Sequence, residues 1–242
     1  MAGAAPDLMK ILERERFLRD LKAWMDEAAS GRGRVVFLPG EAGIGKTVLI
    51  RVFAQSIEGL ARVAVGRCDP LSTPRALGPL VDIADVLGGA VYQFIESGAP
   101  QGQLFRGVLA RLTGSGRPTV LVLEDVHWAD GATLDLLRFL GRRITGGRGM
   151  VIATYREDEV GPRHPLTAVL GDLATSDGVR RMTLPPLTPA AVEVLARVSR
   201  LSAAARSVLE AAAVIGAEAD LGILRSAAGQ DIDAIVRSVP RS

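Results

Sequence analysis

Eight consecutive residues constrain the fold and the chemistry of this chain more than any other feature. They are Gly40-Glu41-Ala42-Gly43-Ile44-Gly45-Lys46-Thr47, the G-x-x-x-x-G-K-T pattern of a phosphate-binding loop. The apolar run at residues 35–38 predicts a buried strand before the loop, and residues 48–54 predict a helix after it. Strand, glycine-rich loop and helix is the context that the pattern requires, so a chance glycine-rich turn is the weaker interpretation.

The loop predicts a site for ATP or ADP. Its glycines allow a tight turn that brings several backbone N–H groups to face one point, and the helix adds the positive end of its dipole there. Lys46 would reach the β- and γ-phosphates, and the Thr47 hydroxyl would ligate Mg²⁺. The residues expected to contact the nucleotide are Gly40, Glu41, Ala42, Gly43, Ile44, Gly45, Lys46, Thr47 and Val48.

A second motif supplies two adjacent carboxylates. The apolar run at residues 119–123 is typical of a strand inside a parallel sheet, and Glu124 and Asp125 follow it directly. Beside a phosphate-binding loop, one such carboxylate holds Mg²⁺, usually through water, and the other orients or deprotonates the attacking water. By position we assign Glu124 to the metal and Asp125 to the water, although adjacent acids can exchange these roles. The alternative is that both are solvated residues at a strand end.

A cation follows the next predicted strand. Residues 150–154 are apolar up to Thr154, and Tyr155 and Arg156 come after them. Because neighbouring parallel strands end at the same edge of a sheet, we expect Arg156 to sense or stabilise the phosphate charge. An ordinary ion pair with one of the acids at 157–159 explains the same residue equally well.

Four further residues have simpler explanations than catalysis. We favour packing for Trp128, while His127 stays open between a link to the phosphates and a hydrogen-bonded loop residue. Asp130 is better explained as the N-cap of the following helix than as a ligand. Cys68 is better explained as a small buried hydrophobe than as a nucleophile.

Composition excludes several classes of function. A formal net charge of +2 over 242 residues gives no indication of a nucleic-acid surface. Two histidines and one cysteine cannot form a zinc cluster or an internal disulfide. The N-terminus lacks a signal pattern, and no apolar run reaches the length of a bilayer. We therefore expect a soluble, cytoplasmic protein that does not contact membranes.

The order of predicted elements indicates an α/β fold. Five apolar strands alternate with helices, which points to a doubly wound parallel sheet with its ligand at the carboxyl ends of the strands. The predicted strands are 35–38, 62–66, 119–123, 150–154 and 179–184; the predicted helices are 11–29, 48–54, 77–87, 104–112, 133–144, 166–174, 190–197, 203–215, 221–228 and 232–239. We divide the chain into an N-terminal helical segment (1–30), an ATPase domain (31–188) and a small all-helical tail (189–242).

Four stretches together carry a resemblance to a known family. They are residues 11–18, the loop at 40–47, the string Leu121-Val122-Leu123-Glu124-Asp125-Val126-His127-Trp128-Ala129-Asp130, and Ala153-Thr154-Tyr155-Arg156. The set resembles the ATPase region of the LuxR-family large ATP-binding transcriptional regulators. These are MalT-like members of the STAND class of signal-transduction ATPases, a branch of the AAA-like P-loop NTPases. Many families share the loop, whereas the acidic string with His and Trp is far more specific.

The resemblance implies an ATP-driven switch. Such proteins are held off by ADP, exchange it for ATP on a signal, self-associate or engage a regulatory partner, and reset by slow hydrolysis. It also implies that Arg14 lies in a segment that packs near the adenine.

Two departures from the family pattern bear on that expectation. The segments that match the two sides of the family's helical lid abut between Ala196 and Arg197, so part of the lid is absent here. The chain also stops inside what resembles a winged-helix unit, before the family's sensor repeats and DNA-binding domain. We therefore expect a truncated switch module that does not contact nucleic acid directly.

Two other classes of function compete with the switch. One is a nucleotide-independent protein-interaction domain, or a degenerate fragment, in which the incomplete lid impairs ATP binding. The other is a dedicated metabolic kinase, which is disfavoured because the chain contains no recognisable substrate-binding motif.

Overall fold

The computed structural model describes residues 12–71, 73 and 75–199. The predicted helices at 203–215, 221–228 and 232–239 lie outside these residues. Within them, no helix combines the length and the apolarity needed to cross a membrane. The chain divides into two compact units, one of residues 16–185 and one of residues 1–15 with 186–242.

The larger unit is built on a five-stranded parallel sheet. Its strands are β1 (Arg34–Pro39), β2 (Arg62–Arg67), β3 (Thr119–Glu124), β4 (Met150–Tyr155) and β5 (Val179–Arg181). They lie in the order β2-β3-β4-β1-β5, and every adjacent pair is parallel. The strand order places β4 between β1 and β3, so the three ends that carry the sequence motifs are neighbours. The predicted doubly wound five-stranded parallel sheet is confirmed.

Helices cover both faces of the sheet. They are α1 (Glu15–Ala29), α2 (Lys46–Ser56), α3 (Gly78–Asp82), α4 (Ala84–Leu87), α5 (Gly89–Glu96), α6 (Gln101–Thr113), α7 (Gly131–Gly141) and α8 (Pro165–Leu173), with short 3₁₀ turns at Val126–Trp128 and Ile144–Gly146. A further helix, α9 (Pro189–Ser199), belongs to the smaller unit. All six residues of β1, β3 and β4 are buried, as expected for central strands covered on both sides.

Alternation along the strands produces two cores. Val36 and Leu38 of β1 pack with the apolar faces of α1 and α2. Val35 and Phe37 point to the opposite face, into a larger core that α3 to α8 complete. Cys68 lies in this second core, 3% exposed, and its burial raises the pKa of the thiol to about 12. These values agree with the interpretation of Cys68 as a buried hydrophobe.

The described part of the smaller unit consists of residues 12–15 and 186–199. Thr188 lies just before α9, and its hydroxyl oxygen accepts a hydrogen bond from the Ala191 N–H at 3.2 Å. The Thr188 N–H donates to Glu13 Oε2 at 2.9 Å, and the Thr188 hydroxyl donates to the same carboxylate. These bonds lower the pKa of Glu13 and tie the start of α9 to the segment before α1.

Candidate functional site

The glycine-rich loop connects the buried end of β1 to the first turn of α2. Gly43 and Gly45 have φ angles of +74° and +101°, which residues with a Cβ atom rarely adopt. Gly45 also occupies the N-cap position of α2, and because it has no side chain it cannot cap the helix. The N–H groups of the first turn are therefore left for a ligand, and the helix dipole favours an anion there.

Lys46 lies at the start of α2 and turns back over the loop. Its Nζ donates to the carbonyl oxygens of Gly40 at 2.6 Å and Glu41 at 2.9 Å. The residue is 8% exposed, and burial lowers the pKa of its ammonium group, an effect that the nearby Asp125 carboxylate opposes. An anion in front of the loop would favour the charged form further.

A cavity of about 260 Å³ opens in front of the loop. It brings together side chains from three strand ends: Lys46 and Thr47 after β1, Asp125 after β3 and Arg156 after β4. The other residues that line it are Ala42, Gly43, Ile44, Gly45 and Val48. Ligand pockets usually measure about 300–1,000 Å³, so this cavity suits the phosphate end of a larger ligand.

Asp125 is directed toward the cavity by an unusual backbone conformation. Its φ of +57° lies in the left-handed region, which aspartate tolerates better than most residues. The Asp125 N–H donates to Thr154 Oγ1 at 3.0 Å, and this bond joins the ends of β3 and β4. Thr154 can accept this bond because β3 and β4 are neighbours in the sheet. In the sequence, Thr154 is noticeable as a polar residue near the end of an apolar strand.

Glu124, unlike its neighbour Asp125, does not line the cavity. Its Oε2 accepts hydrogen bonds from Arg67 Nη2 at 2.6 Å and Nε at 3.2 Å, across the pairing of β2 with β3. The carboxylate is 3% exposed, and its Oε1 is buried without a hydrogen-bond partner among the described residues. The predicted division of roles between Glu124 and Asp125 stays a prediction.

Arg156 lies at the cavity and also makes the ion pair that the alternative explanation predicted, so its role toward phosphate stays a prediction. The side chain lines the cavity, and its Nη1 donates to Glu159 Oε1 at 2.6 Å. Its guanidinium carbon also lies 5.0 Å from the centre of the Trp128 ring, within range of a cation–π interaction. Trp128 thus contacts a cavity residue besides packing against the core, a contact that the sequence analysis missed.

His127 and His164 connect this region to α8. The Nδ1 of buried His127 accepts the backbone N–H of Arg156 at 3.4 Å, and its Nε2 lies 3.4 Å from Glu159 Oε2. The carbonyl oxygen of His127 lies 2.9 Å from Nε2 of His164, whose Nδ1 accepts the N–H of Leu166 in the first turn of α8. Because Nδ1 of His164 is an acceptor, its Nε2 carries the proton and donates to His127.

The chain is similar to a known protein family in its sequence and to solved structures in its fold. A model of the AAA ATPase domain matches residues 10–152, more than half of the chain. The chain belongs to the AAA ATPase domain family. No curated protein matches the sequence.

Two solved structures share the fold of this AAA ATPase. The Orc1 protein of Aeropyrum pernix, solved in complex with DNA, is 18% identical with a TM-score of 0.52, over 94% of this chain and 68% of that one. Cdc6p from Pyrobaculum aerophilum is 19% identical with a TM-score of 0.54, over 90% of this chain and 59% of that one. At these identities the likeness concerns the fold alone.

AAA ATPases generally bind ATP or ADP with Mg²⁺. Of the loop residues predicted to contact the nucleotide, all but Gly40 and Glu41 line the cavity, and their contacts with a nucleotide stay a prediction. Arg14, predicted near the adenine, is buried and belongs to the other compact unit, so its role stays a prediction. The roles predicted for Glu124, Asp125 and Arg156 in this AAA ATPase likewise stay predictions.

Burial of His127 in the AAA ATPase has a consequence for acid stability. Burial lowers the pKa of its imidazole, although Glu159 and Asp125 oppose the shift. The unfolded chain then binds a proton more readily than the folded one, so stability falls as pH drops below the ordinary value of about 6.5. We expect the free energy of unfolding in urea to fall from about pH 6.5 to pH 5, and less steeply in His127→Asn. Equal slopes would contradict this assignment.

Asp130 caps α7, as the sequence predicted, and also holds a loop of the AAA ATPase. Its Oδ2 accepts the N–H groups of Ala132 at 2.9 Å and Thr133 at 3.4 Å, and its Oδ1 accepts the Leu77 N–H at 3.1 Å. We expect Asp130→Ala to lower the free energy of unfolding by about 1–2 kcal/mol. Asp135→Ala is the control, since that exposed residue of α7 makes a surface ion pair with Arg138, which contributes little to stability. If urea denaturation gives the same loss of unfolding free energy for Asp130→Ala and Asp135→Ala, the cap does not stabilise the fold beyond an ordinary surface contact.

Proposed function

We propose that this AAA ATPase is a regulatory switch module that binds ATP or ADP with Mg²⁺ and hydrolyses ATP slowly. The observation that carries the proposal is the meeting of Lys46, Thr47, Asp125 and Arg156 around one cavity in front of an uncapped helix. Three separate strand ends supply these groups, so a glycine-rich turn alone does not account for the arrangement.

Each residue has a distinct proposed role. Lys46 exchanges its bonds to loop carbonyls for bonds to the β- and γ-phosphates, and the first N–H groups of α2 bind the remaining phosphate oxygens. Asp125 orients or deprotonates the attacking water. Arg156 interacts with the γ-phosphate in competition with its present partner, Glu159.

The residues beside the cavity fit Mg²⁺. Thr47 is exposed and lines the cavity, and Glu124, at the neighbouring end of β3 but outside the cavity lining, keeps one buried carboxylate oxygen without a hydrogen-bond partner among the described residues. Buried polar atoms are rarely left unpaired, so this oxygen suits a metal-bound water. Thr47 and Glu124 would hold the ion, whose charge would neutralise the phosphates.

The finer proposal is that the module comes from a LuxR-type transcriptional regulator of the MalT-like STAND class. Its support is the acidic string at 121–130 and the Ala153–Arg156 segment, which resemble that family. The ATPase domain would span residues 31–188, with the segments 1–30 and 189–242 on either side. Its partners would be a second copy or a regulatory protein. A net charge of +2 does not favour direct contact with nucleic acid.

Calorimetric titration with ADP and with ATP, both with Mg²⁺, tests the proposal. We expect micromolar binding, worth about −8 kcal/mol, slow release of phosphate from ATP, and more self-association in ATP than in ADP by sedimentation. A folded chain that binds neither nucleotide would refute the switch and favour the interaction domain. Binding without nucleotide-dependent association would refute only the regulatory part.

A further inference from the structure

A second and larger cavity lies away from the phosphate loop, between α5 and α6. Its volume is about 690 Å³, within the range of about 300–1,000 Å³ typical of sites for small molecules. Its apolar lining includes Leu87, Val91 and Phe94, together with Ala110 of α6. Nothing in the proposed nucleotide chemistry uses this space.

The charges around this cavity have a single sign. Arg106, Arg111 and Arg117 line it, and no aspartate or glutamate does so among the described residues. The Nε and Nη2 atoms of Arg111 are buried and have no hydrogen-bond partner in that part of the chain. Arg111 is half-buried, and two of its guanidinium nitrogens lack partners, which is costly; an anion within hydrogen-bond distance of the guanidinium would reduce that cost.

We propose that the α5–α6 cavity binds an amphipathic carboxylate, a small molecule with an apolar body and one anionic head. The body would pack against Val91 and Phe94, and the carboxylate would accept hydrogen bonds from Arg111. The exposed Arg106 and Arg117 would add attraction at the rim. This site does not depend on nucleotide binding, so the proposal can be tested separately from the proposed switch.

Calorimetry with decanoate and decanol on the full chain tests the proposal. Decanoate is expected to bind at least about tenfold more tightly than decanol, because only the carboxylate pairs with Arg111. Arg111→Gln is expected to lose about 10- to 100-fold in decanoate affinity. Ala110→Trp, which fills the cavity from a surface position, is expected to abolish binding. Arg163→Gln is the matched control, because this exposed arginine lies outside the cavity.

Four results would overturn the proposal, provided that circular dichroism shows each variant to be folded. They are no binding of decanoate by the wild type, equal affinity for decanoate and decanol, no effect of Arg111→Gln, and a loss with Arg163→Gln as large as that with Arg111→Gln. A wild-type dimer that Ala110→Trp converts to a monomer would instead identify a second copy of the chain as the occupant.

Discussion

Replacing Lys46 by alanine is expected to weaken ATP binding by a factor of about 30 to 1,000, equivalent to about 2–4 kcal/mol. Lys46 is 8% exposed and its ammonium group already bonds to two loop carbonyls, so the loop holds it at the cavity proposed for the phosphates. Alanine removes this charge-assisted contact, while the uncapped first turn of α2 remains. Calorimetric titration of both proteins with ATP and Mg²⁺ measures the difference.

Lys22 offers a matched control for this substitution. It is an exposed lysine of α1, remote in sequence from the loop and outside the loop cavity. Lys22→Ala is expected to leave ATP affinity within about twofold of the wild type, as for a surface substitution. If Lys46→Ala binds ATP as tightly as the wild type and Lys22→Ala do, the phosphate-loop assignment is wrong.

Replacing Asp125 by asparagine is expected to slow ATP hydrolysis by about 100-fold or more while ATP affinity changes little. Asparagine has nearly the same shape and also tolerates the left-handed conformation seen at φ +57°. The bond to Thr154 comes from the backbone N–H, so the substitution leaves it in place. Only the negative charge and the basicity of the side chain are lost.

Steady-state phosphate release and ATP titration separate the two quantities in Asp125→Asn. Asp85→Asn, on the exposed side of α4, is the control and is expected to retain wild-type turnover. Unchanged hydrolysis in Asp125→Asn would remove Asp125 from the water-activating role. A parallel Glu124→Gln variant would then show whether the other carboxylate takes it.

The central strands were predictable because each is a short apolar run buried on both faces. Thr119–Glu124 and Met150–Tyr155 extend their predicted ranges by one residue each. The last strand is shorter than predicted and ends at Arg181, although the Met182 N–H still donates to Phe37 O at 2.9 Å. Met182 and Leu184 are buried without being strand residues, so their apolar character alone misled the prediction.

Residues 77–96 were predicted least well. A single helix was expected at 77–87, where the chain forms α3 and α4, and the helix α5 that follows was not predicted. Pro79 lies in the first turn of α3, and Ile83 separates α3 from α4. Gly88 has a φ of +105°, a non-helical conformation that separates α4 from α5. Helical periodicity continues across such breaks in the sequence, so it does not reveal where each short helix ends.

The candidate site was predictable in its motifs but not in its contacts. Lys46, Thr47, Asp125 and Arg156 stand out by residue type and by position after predicted strands. The bond from Asp125 to Thr154 and the position of Arg156 over Trp128 depend on β4 lying between β1 and β3. Strand order is a long-range property that local patterns do not encode.

The left-handed backbone at Asp125 restricts which amino acids this position tolerates. Glycine, asparagine and aspartate accept such a φ at low cost, whereas a glutamate there would be strained by about 1–2 kcal/mol. Of the three tolerated residues, only aspartate carries a negative charge into the cavity. Aspartate is therefore the residue that combines tolerance of the left-handed backbone with a negative charge. Glutamate would keep the charge but would strain the backbone.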